Sequence, residues 1–340
     1  MGRNIRKLSL LFAFVAIVAG MYSLCNRVGG YVAPKENSVE VVKKVDEVPT
    51  TTPTTISATV PTTKTKVNKT TKETVPTSSS GKNYPVIEKQ FGEDGITYDN
   101  FCVKNYTDFS LDIATELKRG LPFKIENNHQ VQVLIFHTHT CESYLKSDTG
   151  YYPSDYYPRT TNNKENVTAV GDAMKKEIEK YGINVIHDKT IHDYPSYTGS
   201  YDRSSETVKK ILRENPEIKV VLDIHRDAIA SENDLIAPVT EISGRKAAQI
   251  MIVSGCDDGT MNMPDYLQNF RLACLFQQQI ESDCPGLTRP VLFDYRNYNQ
   301  ELTSGSLLIE VGSHGNTIDQ VKYSGELIGN SIGKSLQSLS

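Results

Sequence analysis

The chain has 340 residues, a mass of 37.9 kDa, no tryptophan and 18 tyrosines. Residues 1–85 carry 12 Lys/Arg against 5 Asp/Glu, a net +7, while the remainder carries 25 against 36, a net −11. An acidic main body lacks the basic face that nucleic-acid binding needs; the missing indoles exclude a glycan module built on stacked Trp, and the composition excludes collagen-like, coiled-coil and knottin-like classes.

The first element is Leu8 to Leu24, seventeen residues without a charge, preceded by Arg3, Arg6 and Lys7. That length lies at the short end for a membrane span and the long end for a signal peptide. The leading positive charges hold the N-terminus in the cytosol and send the rest outward. Residues 1–33 are therefore read as a single-pass anchor, with a cleavable signal as the alternative. Residues 34–84 follow as a linker: thirteen of residues 50–77 are Thr, with Pro53, Pro61 and Pro76 among them. Such a segment has no apolar face to offset its ordering entropy. Fully extended, it reaches on the order of 150 Å at roughly 3.1 Å per residue. Six cysteines are present, but no C-x-x-C pair, which disfavours a cysteine zinc site. The five beyond Cys25 are an odd set, implying at least one free thiol in an oxidising compartment.

From residue 85 to 340 the pattern is one extracytoplasmic domain of alternating strands and helices. VQVLIF (131–136) predicts a buried strand. Val167, Val170, Met174, Ile178 and Tyr181 fall at helical spacing, with Gly182 as the stop. Residues 183–187 predict a strand; Ser204 or Ser205 predicts the cap of a helix carrying Val208, Ile211 and Leu212. Strands are predicted at 218–225, 247–255 and 307–311, and helices at 264–281 and 317–338. The alternation points to an α/β fold: a single three-layer domain with a central mixed, largely parallel sheet and helices on both faces. In such folds ligands sit at the carboxyl ends of strands.

Three strand ends carry chemistry. FHTHTCES supplies His137, His139 and Glu142; LDIHRDA supplies Asp223, His225, Arg226 and Asp227; LLIEVGSHGN supplies Glu310, His314 and Asn316. Two imidazoles and one carboxylate suit Zn²⁺ and leave a position open. A further carboxylate is then needed as general base and acid, and Glu310 fits. His139 is preferred to His137 for its H-x-x-E spacing to Glu142, and Glu142 to Glu165, which opens the next helix and remains the rival. Arg226 is a candidate for holding a substrate carboxylate or a scissile carbonyl, a salt bridge with Asp227 or Glu310 being the plain alternative. Cys141 is expected to pack rather than act as a nucleophile. The loops are rich in Tyr, which suggests either ordinary packing or a groove for an extended polymer.

The runs HTHTCESY, NVTAVGDAMKKEIEKYGINVIHDKTIHDYPSYTGSYDRS, VVLDIHRDA and YNQELTSGSLLIEVGSHGNT resemble the stage II sporulation protein P family over about residues 105–335. The resemblance implies a membrane-anchored peptidoglycan hydrolase with a fold similar to zinc-dependent amidases and carboxypeptidases. It implies N-acetylmuramoyl-L-alanine amidase and endopeptidase activity in forespore engulfment, alongside stage II sporulation proteins D and M. Carried onto this chain, it implies His139, Glu142 and His225 as zinc ligands and Glu310 as the catalytic acid/base. Two other classes stay open: a zinc peptidase without amidase activity, and a non-catalytic anchored module that binds the wall.

Overall fold

The computed structural model describes residues 81–92, 94–126 and 128–340. The expected anchor and nearly all of the expected linker lie outside the described residues. Among the described residues no helix is long and apolar enough to cross a membrane.

The first strands are β1 (Asn83–Lys89), β2 (Ile96–Tyr98) and β3 (Phe101–Asn105), followed by the short helix α1 (Ile113–Arg119), which Asp112 caps through Thr115 N. Next comes β4 (Val131–Phe136), where Val133 and Ile135 enter one core and Leu134 and Phe136 the other, so both faces are buried. A long loop containing β5 (Tyr151–Pro153) leads to α2 (Thr168–Ile178). A 3₁₀ turn, Glu179–Tyr181, ends at Gly182 with φ 77°, the left-handed stop that glycine tolerates. Then follow β6 (Asn184–His187), α3 (Ser200–Glu214) and β7 (Val220–Asp227). The chain next folds β8 (Ala230–Ser231), β9 (Asp234–Ile242), β10 (Arg245–Ala248) and β11 (Ile250–Cys256). It finishes with α4 (Tyr266–Asp283), β12 (Val291–Tyr295), β13 (Ser306–Ser313) and α5 (Ile318–Gln337), the last opened by a Thr317–Gln320 capping box.

The main sheet has eight strands in the order β2-β3-β12-β11-β13-β7-β4-β6. Pairings are parallel except β2 with β3 and β11 with β13, so the sheet is mixed and largely parallel. Its faces are covered unequally. Met174 and Ile178 of α2, Phe270 and Phe276 of α4, and Ile328 and Ile332 of α5 join one core with Ile135, Leu222, Ile224 and Ile309. The other face takes α3, whose Val208 and Ile211 meet Leu134, Phe136 and Val221.

Two boundaries differ from the sequence reading. Helix α3 is capped five or six residues earlier, by Gly199, and Ser204 and Ser205 are buried inside it. The polar run SYDRSSE hid its first turn, and Ser204 Oγ instead donates to Tyr201 O and lies 2.8 Å from Thr138 Oγ1. The predicted strand 247–255 is broken at Gln249: Ala247 and Ala248 pair with β9, while Ile250 onward pairs with β13. Apart from Ala247 and Ala248, the second sheet, β10-β9-β1-β5 with β8 on β9, has no counterpart among the predicted elements.

Candidate active site

Strands β4, β7 and β13 run parallel, so their carboxyl ends meet along one edge. Pleating sorts the side chains there. Val133 and Ile135 of β4 face the α2 core, and His137 continues that series. It is fully buried, with Nδ1 2.8 Å from Ile224 O and Nε2 2.8 Å from His187 Nε2. Thr138 turns to the opposite side, where its N and Oγ1 donate to Asp223 Oδ1 and Oδ2 at 2.8 and 2.7 Å. Those bonds pin the turn that follows β4, and Glu142 N closes it on His139 O at 3.0 Å.

The turn brings His139 and Glu142 to His225. The rings of His139 and His225 are edge to face with centroids 5.2 Å apart. His225 Nδ1 lies 3.6 Å from Glu142 Oε2, and Nε2 lies 2.9 Å from Asp223 Oδ1 but has no hydrogen-bond partner of proper geometry. Glu142 Oε2 also accepts from Arg226 N at 3.1 Å. Burial pushes the His139 pKa down to about 3, helped by the charge of His225, which leaves a neutral imidazole. At His225 burial also lowers the pKa, but Asp223, Glu142 and Glu310 outweigh it and raise it to about 9. Tyr197 stacks on His139 with centroids 4.4 Å apart, and Tyr201 stacks on His225 at 6.5 Å and on Tyr298 at 5.4 Å.

Glu310 stands opposite His225 in the β13–β7 register. Its Oε2 is buried without a hydrogen-bond partner. Burial, then the charge of Asp227, raises its pKa to about 8, while His225 and Arg289 act in the other direction. Beyond it the register shifts, with Gly312 at φ 64°. A Cβ there would come 2.7 Å from Asn316 Oδ1, so the bulge requires glycine on both counts.

The sequence-selected residues thus fall into two groups. His139, Glu142, His225 and Glu310 share one side of the sheet edge, and His137 lies behind it. Glu165 is ion-paired instead, with Oε1 3.1 Å from Lys146 Nζ. Arg226 does not make the alternative salt bridge with Asp227 or Glu310. Its guanidinium donates to Ser143 O, Pro158 O and Asp227 O, it is 7% exposed, and Arg289 rather than Arg226 pairs with Asp227. It braces the loop after β4 against β7. Cys141 is buried, its thiol pushed up to about 12 by burial and then Asp193, which keeps it protonated. Reading the sequence for strand ends alone passed over Arg159, Asp193 and Ser200, which sit in loops or at a helix start; the loop Tyr pattern was the one visible signal.

The family profile described as Stage II sporulation protein P (SpoIIP) matches residues 21–333. The chain belongs to the stage II sporulation protein P family. It is 30% identical over 203 residues to the Stage II sporulation protein P of Bacillus subtilis (strain 168), a match covering 56% of this chain and 47% of that one. The chain thus spans about half the length of this curated relative. Among solved structures, the N-acetylmuramoyl-L-alanine amidase AmiC2 of Nostoc punctiforme is similar at 12% identity and TM-score 0.37, covering 63% of this chain and 97% of that one. The CwlD amidase of Clostridioides difficile, solved with the GerS lipoprotein, is similar at 14% identity and TM-score 0.34, covering 61% and 99%. TM-scores of this size do not establish a shared fold.

In this member of the stage II sporulation protein P family the residues at the strand ends fit a zinc ion in kind. Two imidazoles and a carboxylate are a familiar ligand set. Zinc bonds of about 2.0–2.1 Å put tetrahedral ligands about 3.3 Å apart, close to the 3.6 Å between His225 Nδ1 and Glu142 Oε2. Asp223, 2.9 Å from the other His225 nitrogen, stands where an outer carboxylate would orient a ligating imidazole. Among the described residues no three such side chains yet converge as a finished centre; His139 Nδ1 is directed instead to Ser200 Oγ at 3.3 Å.

Proposed function

We propose that the chain is a zinc-dependent peptidoglycan hydrolase that cleaves the amide between N-acetylmuramic acid and L-alanine, and peptide cross-links as well. The observation that carries the reading is the buried, unpartnered Glu310 Oε2 on the same sheet edge as His139, Glu142 and His225. Membership of the sporulation family supports the wall as substrate. Septal wall thinning during engulfment, with stage II sporulation proteins D and M as partners, rests on the resemblance alone. Attachment to the membrane by residues 1–33, with the domain on the wall side, rests on the apolar run and its preceding charges.

His139, Glu142 and His225 would hold the zinc. When bound, it supplies a Lewis acid that polarises a carbonyl and acidifies water near neutral pH. The chain's own groups do the rest. Asp223 and Arg226 N fix His225 and Glu142 in place. Glu310 Oε2 takes a proton from the water attacking the scissile amide and passes it to the leaving nitrogen. Tyr197 and Tyr201 shield the imidazoles from bulk water.

The test is digestion of purified sacculi by the full chain, with products read by mass spectrometry. Release of intact peptides from sugar chains is expected, and it should stop with a chelator and return with zinc. Cleavage within peptides alone would leave a peptidase, and no release at all would leave a binding module.

A further inference from the structure

Three guanidinium groups surround the site, and they differ in what they have left to offer. The side chains of Arg226 and Arg289 are 6% and 10% exposed; the first is directed to backbone carbonyls and, at 4.0 Å, to Glu142 Oε1, and the second to Asp227 Oδ2, with its Nε and Nη2 buried and unpartnered. Arg159 keeps 19% of its side chain exposed. Its backbone bridges to that of Glu142, which fixes the side chain next to the ligand turn. Its Nη2 donates to Asp193, a buried carboxylate that also accepts from Cys141 N at 3.1 Å. The guanidinium carbon lies 4.9 Å from the centroid of Tyr197, the ring that stacks on His139.

We propose that Arg159 is a specificity-determining residue that receives a carboxylate of the peptide stem, two residues along from the scissile bond. The inference rests on the hydrolase reading and names the chemistry of its substrate: an anionic stem peptide. A stem threaded from the site past Tyr197 places the α-carboxylate of its second residue about 7 Å from the scissile nitrogen, at about 3.5 Å per extended residue. That is one stacked ring away from His139, where Arg159 stands. Asp193 and the Tyr197 face hold the guanidinium in plane, so its remaining donors are already oriented for a two-point bond to a carboxylate. In a domain with a net −11, a partly exposed guanidinium beside the site, with donors left beyond its Asp193 pair, gives an anionic substrate somewhere to bind.

The test compares two soluble muramoyl dipeptides with the full chain, one with a free α-carboxylate on the second residue and one with the carboxamide. The wild type should favour the carboxylate about tenfold in kcat/KM, mainly through KM. R159Q should bring that ratio close to one, and R159K, which keeps the charge without the planar fork, should restore part of it. A ratio near one in the wild type, or an unchanged ratio in R159Q, overturns the proposal. Calorimetric binding of both dipeptides separates the two readings. Preferential binding of the carboxylate without turnover keeps Arg159 in its role and removes the hydrolase; equal binding removes Arg159. Should R159Q fail to fold, the ratio in R159K decides: a value equal to wild type overturns the fork.

Discussion

Glu310 is a carboxylate held where its charge is disfavoured: burial and Asp227 push its pKa up, and only His225 and Arg289 pull it back. A group so placed exchanges a proton near neutrality, which suits an acid/base and suits a merely structural residue poorly. E310Q conserves shape and should leave zinc content unchanged while cutting turnover on sacculi by about 10²–10⁴-fold; metal analysis and a dye-release assay on one preparation check both halves. H225A should lose both, because it removes a proposed ligand and leaves Asp223 without its imidazole partner. At this scale much was legible. His139, Glu142, His225 and Glu310 followed from the rule that strand ends gather ligands. His137 could be separated from His139 only by the turn that follows β4, since two residues apart on a strand they would share a face. Arg226 marks where that rule stops, because a guanidinium after a strand looks the same in sequence whether it meets substrate or backbone; here it meets backbone carbonyls.

Among the elements, α2 is set by what lies under its first turns. A Cβ on Gly171 would come 2.4 Å from His187 Nε2 and 3.1 Å from His137 Nε2, inside the buried imidazole pair. G171A should therefore destabilise the domain by about 1–3 kcal/mol, read as a fall in melting temperature of several degrees, and its effect on turnover should be no larger than the loss of folded protein explains. The capping box of α5 is worth about 1 kcal/mol, so T317A should lower the melting temperature by less. The long elements with apolar period, β4, β7, β13 and α2, were legible from the sequence. The second sheet was not, because β1 pairs with β9 across some 150 intervening residues, and no local pattern records such a partner. The break at Gln249 was hidden for a related reason: Gln249 Nε2 donates to Phe91 O and Gly286 O, contacts made by distant loops.

For the whole molecule, the sequence divides into a basic, Thr-rich front and an acidic body. If the front is a tether, its length matters only where the wall must be reached. Shortening residues 50–80 should lower wall digestion in cells and leave the rate of the purified protein on sacculi unchanged; equal loss in both assays would remove the tether from the account. The thiols of Cys141, Cys256, Cys274 and Cys284 are buried and unbridged, so a reducing agent should not shift the melting temperature.

Strand β1 is the first strand of the folded body. That strand is zipped along both margins, to β5 at Tyr84 and Pro85 and to β9 from Val86 to Lys89. Strand β9 is in turn stitched to the segment just past Glu310, by Ser313 Oγ to Ile236 O at 2.5 Å and Asn316 Nδ2 to Pro238 O at 3.1 Å. A pull from the front end is thus borne in shear across several rungs at once, not peeled rung by rung. Its line of force ends against the strand that holds Glu310, which makes the point of mechanical attachment and the point of proposed chemistry neighbours.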